Sequence, residues 1–163
     1  MLRLIIPDLE FSATYLAGMR EIIGDCPDLA ADYSVVDIPD QIERWKSLAQ
    51  TSEEARFQYW LMDNDEFIGT VQIRKATSGR IPETSSNIGY FLKPSREDEP
   101  TLIRLFELTV EEARILGIRQ LVVACGEGDY CIETLIKQME SDLLTSATLV
   151  NSGQRVNRYS IQL

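Results

Sequence analysis

The residues best suited to chemistry lie between Ile88 and Gly117. Ile88-Gly89-Tyr90-Phe91-Leu92-Lys93 reads as a strand closed by Pro94. Ser95-Arg96-Glu97-Asp98-Glu99 continues as a loop, and a helix is expected from Pro100 to Leu116, stopped by Gly117. A strand that hands over to a helix N-terminus suits an anion, because unpaired amides and the helix dipole point at one place. Here Glu97, Asp98 and Glu99 stand at that place, with no glycine among them. Like charges ~4 Å apart repel by about 1 kcal/mol in water and about 4 kcal/mol at an effective dielectric near 20. Pro100 removes a further amide donor. Lys93, Arg96 and Arg104 are the nearby cations that offset part of this repulsion. Helix chemistry alone also explains the same residues: acids in a first turn complement the macrodipole, and proline suits its first position.

The chain has no histidine among its 163 residues. That excludes Ser-His-Asp and Cys-His catalysis, His-ligated zinc and a histidine base. Proton transfer is left to Glu, Asp, Tyr, Cys or water, and no metal site is expected. The net charge of −10 argues against nucleic acid and anionic membranes, which demand Lys/Arg clusters. A cationic amine, a peptide or a basic protein suits that field better, although acidity also serves plain solubility. Cys26, Cys125 and Cys131 are an odd set without a secretory signal, so no disulfide framework is expected. No apolar run approaches the ~20 residues that span a bilayer. One cytoplasmic domain over residues 1–163 is the expectation.

These residues need a scaffold, and the periodicity supplies one. Leu2–Ile6 reads as a strand, Asp8–Ile23 as a helix ended by Gly24, and Pro39–Ala49 as a second helix. The period then becomes two. Phe57–Met62 and Phe67–Lys75 form a hairpin around Asp63-Asn64-Asp65-Glu66, with Phe67, Val71 and Ile73 on one face. The amphipathic helix after Pro100 leads into Arg119–Cys125, apolar enough to be buried on both faces. A helix capped by Asp129 runs to about Glu140, and strands 143–150 and 155–162 close the chain. Trp45 and Trp60 read as core. A mixed α/β sheet with helices on both faces satisfies this order.

Residues 57–75, the run Ile88 to Ser95, and the helix end Glu112-Ala113-Arg114-Ile115-Leu116-Gly117-Ile118 resemble the GCN5-related N-acetyltransferases (GNAT). The similarity extends to the strand at 121–125, the helix from Asp129 and the closing strand through Arg158-Tyr159. It implies the acyl-CoA N-acyltransferase fold, with a mixed, mostly antiparallel sheet and a splayed central pair of parallel strands. It implies acetyl-CoA in the opening between strands 88–93 and 119–125, its pantetheine arm along Phe91, Leu92 and Lys93. The diphosphate would lie over Arg96, Glu97, Asp98, Glu99, Pro100 and Thr101, with Asp129 opening the next helix. Glycines that let the family's backbone approach phosphates are absent here. Ile136 stands where many members carry a general-acid Tyr, and Asn87 where near relatives carry His. Glu83 is the base that chain position suggests, and Tyr130 the group near the thiolate.

Two functions follow from the resemblance. One is an acetyl-CoA-dependent N-acetyltransferase acting on an amine of a small molecule or peptide. The other is a non-catalytic relative with impaired CoA binding, acting as a binding or regulatory module. Either is compatible with a homodimer through the hairpin or the C-terminal strands.

Overall fold

The computed structural model describes residues 1–31, 37–51, 54–76, 86–150 and 152–163. Strand β1 (Leu2–Ile5) leads through a 3-10 turn at Leu9–Phe11 into α1 (Ser12–Asp25) and, after a second 3-10 turn, α2 (Ile38–Ala49). Asp37 accepts from Asp40 N–H and caps α2, and Pro39 sits in the first turn as its fixed φ favours. The hairpin β2 (Glu54–Asp63) and β3 (Glu66–Ala76) turns at Asn64, whose φ of 53° is one that Asn tolerates. Strand β4 (Ile88–Leu92), helix α3 (Glu99–Ile115) and strand β5 (Gln120–Gly126) come next, then α4 (Tyr130–Gln138), β6 (Ser141–Thr148) and β7 (Arg155–Gln162).

The strands form two antiparallel sheets, ordered β1-β2-β3-β4 and β5-β7-β6. Helices cover both faces. Tyr15, Met19 and Ile22 of α1 and Ile42 and Trp45 of α2 bury Trp60, Met62 and Phe67 on one side. On the other, Leu105, Phe106, Val110 and Ala113 of α3 and Ile132 and Ile136 of α4 pack on Leu61, Val71, Ile73, Leu121 and Val123. Both tryptophans are core, as predicted. Trp60 stacks on Tyr15 with centroids 4.3 Å apart, a favourable offset of large apolar surfaces.

Three details depart from the sequence pattern. A register shift between Leu61 and Met62 leaves Ile68 without a ladder partner. Phe67 thereby turns to the α1 side while Ile68 joins Val71 and Ile73, because one extra residue inverts the alternation. Gly24 lies inside α1, which runs on to Asp25 and closes with Cys26 N–H donating to Ile22 O at 2.9 Å. Helix α4 ends at Gln138, before Glu140. Met139 is extended there, and Ser141 Oγ satisfies the Ile136 carbonyl at 2.8 Å. Gly117 does end α3, at φ +73°, where Ile118 N–H reaches Ala113 O.

Candidate functional site

The two sheets are joined at Asn87 and its neighbour Ser86, whose Oγ also donates to Val122 O. Asn87, 3% exposed, lies just before β4. Its carbonyl accepts from Arg74 N–H at 2.7 Å, and its Nδ2 donates to Arg74 O at 2.8 Å, in the place its own amide would take. Its backbone N–H is then free to turn the other way, to Val122 O at 2.8 Å. Its Oδ1 accepts from Val122 N–H at 2.6 Å. Asn87 therefore staples β3, β4 and β5 at one point, and no ladder continues between β4 and β5 beyond it.

This junction fixes which backbone groups face the opening. Pairs in an antiparallel ladder alternate between bonded and non-bonded. Arg74 bonds Asn87 and Lys93 N–H bonds Ile68 O, so Gly89 and Phe91 turn their amides to β3. Tyr90 and Leu92 present theirs to the unpaired side. Of the residues expected along the arm, Leu92 is one whose amide faces outward; Tyr90 is a second, which chain position missed. Counting alternate residues from Asn87 would have found it.

The turn after β4 is already occupied by the protein's own groups. Ser95 N–H donates to the Glu21 carboxylate at 2.7 Å. Arg96 N–H bonds Lys93 O at 2.8 Å, and Glu97 N–H bonds Pro94 O at 3.4 Å. Asp98 caps α3, its carboxylate accepting from Thr101 N–H at 2.8 Å and its carbonyl from Leu102 N–H. Pro100 has no N–H. Only the amides of Asp98 and Glu99 lie outside these bonds. The seats for an anion hold carboxylates, and both titrate below the usual range: Glu21 because of its Ser95 bonds, Asp98 because of Thr101.

The cations are committed as well. Arg96 reaches Asp63 at 2.8 Å and Glu66 at 3.1 Å, back on the hairpin. The buried Lys93 also ends on Glu66. Arg104 pairs with Glu107 at 3.0 Å on its own helix. Their ion pairs go elsewhere, although Arg96 still favours the charged form of Asp98 through space. Arg96 Nη and Lys93 Nζ neutralise the hairpin tip instead.

Between β4, α3 and β5 lies a cavity of about 30 Å3, lined by Ile88, Tyr90, Leu102, Phe106, Val123 and Asp129. That volume suits a water or two. Burial, with Asp129 next in weight, raises the Tyr90 phenol well above its ordinary pKa, so it stays protonated. Asp129 precedes α4 but makes no side-chain bond to the helix. Its carboxylate turns back to Gly126 N–H at 2.9 Å, which corrects the expected cap. Burial raises the Cys125 thiol to about 12. Tyr130 opens α4 and is 70% exposed, and Ile136 is fully buried in the core. Glu83 lies outside the described residues.

No family model matches the sequence, and no curated protein matches it. Solved structures do match its shape. RimL, a ribosomal L7/L12 alpha-N-protein acetyltransferase solved with coenzyme A, shares 18% identity over 99% of this chain and 94% of its own, at a TM-score of 0.64. A GNAT-family acetyltransferase from Streptococcus pneumoniae shares 12% identity, covering 100% and 99%, at 0.66. AAC(6')-Ib, solved with ribostamycin and coenzyme A, shares 14% identity, covering 98% and 93%, at 0.60. The chain has the GNAT acyltransferase fold. Its GNAT features are the splayed β4/β5 pair, the crossover through α3 and helices on both faces. Among the described residues no helix is long and apolar enough to cross a membrane.

Proposed function

We propose that this chain is an N-acetyltransferase-like protein that takes acetyl from acetyl-CoA to an amine of a small molecule or peptide, and that it holds the cofactor by the pantetheine arm rather than the diphosphate. The observation that carries this is the unpaired backbone edge of Tyr90 and Leu92 beside a turn whose amides the chain already uses. An amide-rich arm pairs with such an edge as an added strand does. Seating it displaces side chains around the small cavity, Tyr90 and Leu102 among them.

The cofactor supplies a thioester. The acceptor nitrogen forms a bond to the acyl carbon as the carbon–sulfur bond breaks, and an outward amide of β4 stabilises the oxyanion. Tyr90, protonated and lining the opening, is a phenol that can donate a hydrogen bond to the departing sulfur, while its raised pKa keeps the proton on its own oxygen. Glu83 remains the assigned base on chain position, and Tyr130 a second donor at the mouth of α4. Residues 1–163 work as one cytoplasmic domain, without nucleic acid or membrane partners. The exposed β6 edge, with Leu143 and Leu144, suits a second copy.

A second reading is favoured by Ile136, which fills the usual general-acid position with buried core. In that reading the chain is a non-catalytic binding or regulatory module. Calorimetry with acetyl-CoA and with acetyl-pantetheine, which lacks the diphosphate, separates the two. Equal, weak binding of both supports the proposal. At least tenfold tighter binding of acetyl-CoA would show that the turn seats a diphosphate after all. No heat from either ligand would leave the module reading.

A further inference from the structure

The face of β4 opposite the opening carries a larger concavity. A groove of about 350 Å3 runs between α2 and the sheet. Its floor comes from three strands. Arg56 and Arg74 are direct partners in the β2–β3 ladder, and Gln72 lies across from Gly89 of β4, two residues from Phe91. Its wall is Arg44, Trp45 and Leu48 on one side of α2. Three guanidiniums therefore converge on one hollow in a chain of net charge −10.

Their pairing is incomplete. Arg56 has a carboxylate, Glu54, at 3.0 Å on its own strand. Arg44 and Arg74 have no carboxylate within ion-pair distance among the described residues, in contrast with Lys93, Arg96 and Arg104. Like charges directly opposite on a sheet are destabilising. The Arg56/Arg74 pair is relieved by an anion placed between them, and planar guanidinium forks match a carboxylate's two oxygens. The apolar remainder of a ligand then rests on Leu48, Trp45 and Phe91. Gly89 leaves room for it: a Cβ built there meets no atom within 4 Å.

We infer that this groove binds a small organic carboxylate with a flat apolar body. The size is that of a small-ligand site, with few charged groups set on an apolar lining. The groove is separate from the opening and stands whether or not the chain transfers acyl groups.

The test needs no acetyl-CoA, so its failure is distinguishable from failure of the acyltransferase reading. Phenylacetate and phenylacetamide differ only in the charged end and are titrated into the full chain at low salt, followed by amide NMR. Phenylacetate is expected to shift Gly89, Phe91 and the Trp45 indole, with phenylacetamide at least tenfold weaker. Inorganic phosphate, which lacks the apolar body, should bind the same residues more weakly than phenylacetate. Arg74→Gln and Arg44→Gln should each weaken phenylacetate several-fold. Gly89→Val should block it without lowering the melting temperature, since its side chain enters open space. Equal binding of acid and amide, shifts confined to the β4–α3 turn, or indifference to both arginine changes would each overturn the assignment.

Discussion

The two sides of β4 handle charge in opposite ways. On the α3 side, in the turn after β4, carboxylates sit on the amides of Ser95 and Thr101, and the ion pairs of Lys93, Arg96 and Arg104 among the described residues go to Glu66, Asp63 and Glu107. On the α2 side, Arg44 and Arg74 face a groove roughly ten times larger in volume, with no ion pair of their own among the described residues. One strand thus separates a site satisfied internally from one left incomplete. A turn whose amides are bonded internally gains little from an anion, whereas arginines without an ion pair can take a carboxylate without breaking a contact. A shared fold therefore does not say which face carries this chain's recognition.

The largest change should come from the residue that both faces share. Asn87→Ala removes the acceptor for Val122 N–H, which is buried, and the donor for Arg74 O, which is partly buried. Buried groups left without partners cost ~1–3 kcal/mol each, so a loss of about 2–4 kcal/mol is expected in urea unfolding. A loss within experimental error would mean that the sheets do not depend on this staple, and the two-sided description of β4 would fail.

Next in size is conversion of the turn. Replacing Glu97, Asp98, Glu99 and Pro100 with Gly-Lys-Gly-Tyr removes three carboxylates, restores an amide and lets the backbone approach a diphosphate. Calorimetry should show CoA binding strengthened at least tenfold, or ~1.4 kcal/mol. Phenylacetate binding should not change. No gain for CoA would place the obstacle elsewhere, in the small cavity or in Glu21.

Much of this was legible in the sequence. The hairpin, the strand–loop–helix unit and both tryptophans follow from period and turn chemistry, because local spacing decides them. Glu97-Asp98-Glu99 marked an acidic helix start without any structure. What stayed hidden depends on contacts across the chain. Ser95 meets Glu21 from α1, 74 residues away in sequence. Arg96 reads as a free cation until the hairpin tip folds against it. Arg44, Arg56 and Arg74 are unremarkable singly and converge only when α2 lies over the sheet. The inward turn of Phe67 follows from a register shift, which alternation alone cannot reveal.

The smallest expected effect tests whether Asp98 is held as a charged cap. Its carboxyl titrates below the ordinary aspartate value because the Thr101 bonds favour the charged form. A folded-state value below the unfolded one gives stabilisation that is complete above the unfolded value, about 3.9, and is lost as pH falls through the folded value. Asp98→Asn keeps a capping oxygen but has nothing to titrate there. The wild type should therefore melt slightly higher than D98N near neutral pH, where the charge also complements the helix dipole. In acid the gap should close, since both proteins then carry a neutral cap and share every other titrating carboxylate. Melting curves of the pair from neutral to about pH 3 read this directly. A gap that persists or widens in acid would mean that Asp98 does not hold the turn through its charge, and the claim that the chain's own carboxylates fill the anion seats would rest on Glu21 alone.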